Sequence, residues 1–97
     1  MDEFLARYSW ALTEKLATLS PSPEAGVTAT GSSPGEDAVM LELARLVAHA
    51  TERKNAPLST YLAGRFVTAW VARGGTAGDA AAAAMAVAQH LLEPTGS

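Results

Sequence analysis

Apolar residues at Leu5, Tyr8, Leu12, Leu16 and Leu19 are spaced three or four apart, which puts them on one face of an α-helix. A helix over residues 2–19 is therefore predicted. Asp2 and Glu3 complement the dipole at its start. Ser20-Pro21-Ser22-Pro23 ends it, because proline has no amide donor and restrains the residue before it. The same period returns at Val39, Met40, Leu43, Leu46, Val47 and Ala50, within a second helix predicted over 34–53. That apolar face is broad enough to meet two neighbouring helices, while Glu42, Arg45, His49 and Arg53 fall on the polar one. Ser33-Pro34-Gly35-Glu36 has the spacing of a capping box with proline at the first helical position.

Asn55-Ala56-Pro57 separates this helix from a third, over 57–73, with Leu58, Tyr61, Leu62, Phe66, Ala69 and Trp70 at helical spacing. Gly74 suits a left-handed cap at its end. Thr76, with Asp79 three residues on, caps a fourth helix over 77–92. Its face of Ala81, Ala84, Met85, Ala88, Leu91 and Leu92 is rich enough in alanine for close helix approach. The pattern gives an all-α bundle of about four helices with no support for strands. Short links make the second, third and fourth helices antiparallel neighbours.

The segment 20–33 contains prolines, glycine and small hydroxyl residues, with Val27 as its one large apolar side chain. It is expected to be a long mobile loop. Residues 1–93 form one domain in this reading and 94–97 a short flexible tail. A chain of 97 residues that is 48% hydrophobic and 18% charged can bury enough surface to offset its chain entropy.

The net charge of −3 argues against a domain that neutralises nucleic-acid phosphates. With no cysteine, thiolate nucleophiles, thiolate metal sites and disulfides are all excluded. The acidic start Met1-Asp2-Glu3-Phe4 is unlike a secretory signal, and no apolar run approaches the roughly 18 residues of a membrane span. The cytoplasm is the expected compartment.

Patterns for catalysis are sparse: HExxH, CxxC, GxSxG and P-loop motifs are missing, and no cofactor or metal is expected. His90, near Glu93 at the end of the fourth helix, reads as structural. His49 shares a helix face with Arg45 and Arg53, either as a partly buried residue bonded to a neighbouring helix or as an imidazole able to move a proton.

Positive charge gathers around the same place. Residues 43–78 carry five cations against Glu52, a local charge of +4. At the proline-marked start of the third helix, with its Ser59 and Thr60 hydroxyls, free amides and a positive dipole end would suit an anion or a partner's acidic segment. The candidate site is thus Arg45, His49, Arg53, Pro57, Ser59 and Thr60. The aromatic residues Trp10, Trp70, Tyr8, Tyr61 and Phe66 fit core positions, though a tryptophan on a rim would mark a partner surface.

Leu43-Ala44-Arg45-x-Val47-Ala48-His49, followed by Arg53-x-x-Ala56-Pro57-Leu58-x-Thr60-Tyr61-Leu62-x-Gly64, resembles the core motif of a small actinobacterial all-helical domain family of unknown function. That family pairs an LARxVAH helix with a turn of the form RPAAPLTTFLxG. It occurs alone or fused to nucleotidyltransferase-type proteins of molybdopterin-guanine dinucleotide biosynthesis. The turn here, Arg53-Lys54-Asn55-Ala56-Pro57, replaces small apolar residues with polar ones. The resemblance implies a link to molybdenum cofactor assembly and no mechanism. Together these features point to a helical accessory or interaction domain with a protein partner, such as that nucleotidyltransferase or a second copy of the chain. The alternative is a binder of a small molecule or anion at the junction of the second and third helices.

Overall fold

A computed structural model describes residues 3–18 and 34–93. Four helices make up the fold: α1 (Glu3–Ala17), α2 (Pro34–Ala50), α3 (Asn55–Ala72) and α4 (Ala77–Leu91). There are no strands among the described residues. The expected loop 20–33, the Ser33 cap, Leu19 and the tail 94–97 lie outside them.

The backbones of α3 and α4 run beside each other, and each also runs beside α1 and α2, whereas the α1 and α2 backbones stay apart. The outer helices therefore occupy opposite grooves of a central α3/α4 pair. Contacts at both ends align α1 with α3. Leu5 shares a groove with Asn55 and Leu58, and the Leu16 carbonyl accepts from Arg73 Nη1 at 3.3 Å. That bond also satisfies an end carbonyl of α1 with a cation, as a helix C-terminus favours.

Phe4, Leu5, Tyr8 and Leu12 of α1 meet Leu43 and Val47 of α2, Ala63 and Phe66 of α3, and Ala80, Ala84 and Ala88 of α4 in one core. The three alanines recur every fourth residue, so one face of α4 has no bulk and its neighbours come close. Tyr8 consequently reaches across and donates its hydroxyl to the Ala84 carbonyl at 2.9 Å, with its ring stacked on Phe4. No helix among the described residues is long and apolar enough to cross a membrane.

Burial raises the Tyr8 phenol above its ordinary value of about 10, because the phenolate would be charged in an apolar surrounding. The native state thus holds this proton more tightly than the unfolded chain. The stability it confers is complete below about pH 10 and is lost as the pH rises beyond that. Tyr8→Phe is expected to lower stability by about 1 kcal/mol at neutral pH. It should also flatten the alkaline fall, which urea unfolding across that pH range would measure.

The helix ends refine the expected boundaries. Thr76 Oγ1 accepts from the Asp79 amide at 3.1 Å, which is the expected cap of α4. At the end of α3, Gly74 adopts φ 97°, its amide donates to Val71 O, and the Gly75 amide donates to Trp70 O. These paired bonds define a Schellman cap. Gly75 lacks a side chain for a different reason: a Cβ there would overlap Trp70 Nε1. The indole lies against the cap and packs on the core, with the Phe66 ring at 5.4 Å.

Helix α2 stops at Ala50, three residues short of the expected end, and Ala50 itself is exposed. Helix α3 starts at Asn55, two residues before the proline expected to open it. Pro57 sits in the first turn, where the amide it lacks would have no intrahelical acceptor.

Candidate functional site

The structure places the six residues of the predicted site in different surroundings, Ser59 buried, Thr60 half-buried and the other four exposed. Arg45, on the exposed face of α2, is engaged by Glu42 through both carboxylate oxygens. The hydrogen bond and then the charge of Glu42 hold its guanidinium above the ordinary value. His49 is exposed, so the partly buried histidine expected there is not found; the residue falls on the outer face of the last α2 turn. Arg53 and Pro57 are exposed as well. Ser59 is fully buried and donates to Ala56 O at 2.8 Å, while half-buried Thr60 donates to Pro57 O at 2.9 Å. Both hydroxyl protons are bound within their own helix.

The free amides expected at the start of α3 are also absent. The Asn55 amide donates to Glu52 O at 3.0 Å and the Ala56 amide to Arg53 O at 3.1 Å, while Pro57 has none. A tight turn thus closes the helix end through its own backbone, and the first three positions offer an anion nothing but the dipole.

What the junction does build lies on its other side, between the starts of α1 and α3. A groove of about 600 Å³ opens there, with Leu5, Leu58 and Leu62 as its apolar walls and Lys54 and Arg65 at its rim. Tyr61 joins the wall, with the Arg65 guanidinium 5.9 Å from its ring centroid, in range of a cation–π contact. Leu58 is 50% exposed and Tyr61 62% exposed, a large apolar investment left facing water. The seam continues along α1 past Ser9, Leu12 and Thr13, sharing Leu62 and Arg65 with the groove. Among the described residues, no carboxylate lines either part.

Asn55 completes the groove and is only 1% exposed. Its Nδ2 donates to Thr51 Oγ1 at 3.1 Å, and the Thr51 hydroxyl donates in turn to Val47 O at 2.8 Å. Because the single hydroxyl proton is committed to Val47, Thr51 can only accept from Asn55, which fixes the orientation of the carboxamide. Its Oδ1 is then a buried acceptor with no partner among the described residues. Such an atom is costly to leave unmatched.

Sequence reasoning missed Asn55, Leu58, Tyr61 and Arg65 as site residues. Leu58 and Tyr61 carry the spacing of a core face, and Asn55 beside a proline reads as a turn. One signal was available: a polar residue at 55 continues inward at four-residue steps through Ser59 and Ala63. Among the described residues, no group of three or more histidines, aspartates or glutamates is placed to hold a metal ion.

A family model described as a domain of unknown function, DUF6457, matches residues 2–96. No curated protein and no solved structure matches the chain.

Proposed function

We propose that this chain, which belongs to the DUF6457 family, is a helical protein-interaction domain that receives its partner along the α1/α3 seam. The observation that carries this reading is the exposure of Leu58 and Tyr61 beside a groove with apolar walls. Exposed aromatic and aliphatic side chains around a concavity are what a partner buries at the centre of an interface. The polar remainder of the groove serves as a rim.

The motif resemblance supplies the first partner to test, a nucleotidyltransferase of molybdopterin-guanine dinucleotide biosynthesis, and with it a role in molybdenum cofactor assembly. Calorimetric titration of this domain into that enzyme is expected to give saturable binding at or below tens of micromolar. Tyr61→Ala is expected to weaken it by about tenfold, the effect of a central aromatic contact. Arg45→Ala, on the far face of α2, should leave it unchanged. Absence of heat and of co-elution at tens of micromolar would remove this enzyme as the partner. Equal losses from Arg45→Ala and Tyr61→Ala would remove the seam as the surface.

A further inference from the structure

We infer that the groove at the start of α1 and α3 is built for an acidic segment of a partner protein, and that Asn55 Oδ1 accepts a hydrogen bond from that segment. This inference rests on the interaction-domain reading and names the chemistry of its partner.

Three features select the occupant. The walls are apolar, so the segment must insert an aliphatic or aromatic side chain beside Leu58 and Tyr61. Lys54 and Arg65 stand at the rim with no carboxylate among the described lining residues, which favours aspartate or glutamate next to that anchor. Lys54 Nζ lies 3.2 Å from Glu52 Oε2, but both groups are exposed to solvent, so an incoming carboxylate meets little competition.

The third feature is Asn55. Its carboxamide is held from one side by Thr51, and the oxygen left over is buried and unmatched among the described residues, in a side chain that lines the groove and that an incoming segment must part from its neighbours to reach. Only an N–H or O–H group can satisfy it, and a peptide segment carries an N–H at every residue except proline. A buried acceptor that destabilises the free domain and is matched on binding also gives specificity. A ligand without the donor leaves the oxygen stranded.

Selection from a random peptide display library on the intact 97-residue chain tests this without assuming which protein is the natural partner. The expected winners carry an apolar anchor flanked by aspartate or glutamate. Against a synthesised winner, Lys54→Glu and Arg65→Glu should each lower affinity at least tenfold, and replacing the peptide's acids with amides should do the same. Both substitutions are on the surface and leave the fold intact. Asn55→Leu should weaken the peptide by about tenfold, the effect of one lost hydrogen bond, while its melting temperature stays level or rises because an unmatched polar atom has been removed.

Winners without acidic residues, or winners that bind Lys54→Glu, Arg65→Glu and Asn55→Leu as tightly as the parent, would overturn the inference while leaving an interaction domain with another surface. If no peptide is enriched, the inference fails, whatever the nucleotidyltransferase titration gives. Sedimentation that shows a dimer dispersed by Tyr61→Glu would assign the groove to a second copy of the chain and overturn it also.

Discussion

Leu43→Ala is expected to destabilise the domain by about 3 kcal/mol, through lost burial and the cavity left behind. For a domain of this size that lowers the melting temperature by on the order of 15 °C. The backbone of helix α2 stays clear of α1 and runs beside α3 and α4 alone, so its side chains reach the shared core from that side. Of its wide apolar face, Leu43 and Val47 alone are fully buried, and Val39, Met40 and Leu46 remain half-buried. The docking of α2 is therefore concentrated in two side chains one turn apart. Leu41, which is exposed, supplies the control: Leu41→Ala should change stability by less than about 0.5 kcal/mol. Guanidinium unfolding of both variants decides the matter. Similar losses from the two would mean that α2 is not seated on this face.

Gly75→Ala is expected to cost about 2 kcal/mol, an overpacking effect out of proportion to one methyl group. The new Cβ would overlap Trp70 Nε1, and the indole cannot simply swing clear, because Phe66 lies against it. Gly74→Ala is expected to cost about 1 kcal/mol for a different reason, the backbone at φ 97° that alanine adopts poorly. The two causes separate in a double-mutant cycle. In a Trp70→Leu background the Gly75→Ala cost should largely vanish, while the Gly74→Ala cost should persist. Thermal unfolding of the four single and double variants reads this directly. A Gly75→Ala cost that is unchanged without the indole would mean that the close approach is not its source.

The four helices, the Thr76 cap, the Gly74 turn and the core roles of Tyr8, Leu12, Leu43, Val47 and Phe66 were all legible from periodicity and end signals. Each of these depends on interactions within a few residues or on a large apolar side chain at regular spacing. The orientation of α3 was not legible in the same way. Spacing favoured Leu58 and Tyr61 as core because they are large and apolar. The structure instead turns inward the line of Asn55, Ser59, Ala63 and Phe66. Ser59 and Ala63 in this line are small enough for neighbouring helices to come close, and Phe66 fills the core beyond them. Ser59 tolerates burial because its hydroxyl bonds to its own helix.

The candidate site was legible only as a neighbourhood. Charge and a proline drew attention to residues 53–60, where the amides and hydroxyls expected to be free are bonded within the chain. The turn from Glu52 to Ala56 closes on its own amides, a backbone arrangement that composition does not encode. Conversely, the unmatched oxygen of Asn55 results from Thr51 having already committed its proton to Val47. That is a relation among three residues, and no single one of them reveals it.

The two tryptophans stand in opposite surroundings: Trp10 is 67% exposed on α1, whereas the Trp70 ring nitrogen is buried at the glycine cap of α3. The chain thus contains two unequal optical probes. Trp10 emits from water in the folded and unfolded states alike and contributes a nearly constant background. Trp70 leaves a dry, dense environment when the cap opens, so its emission should move to longer wavelength at that step. A Trp10→Phe variant would turn the fluorescence of the whole chain into a reporter on the α3/α4 turn, able to follow its opening apart from the rest of the bundle.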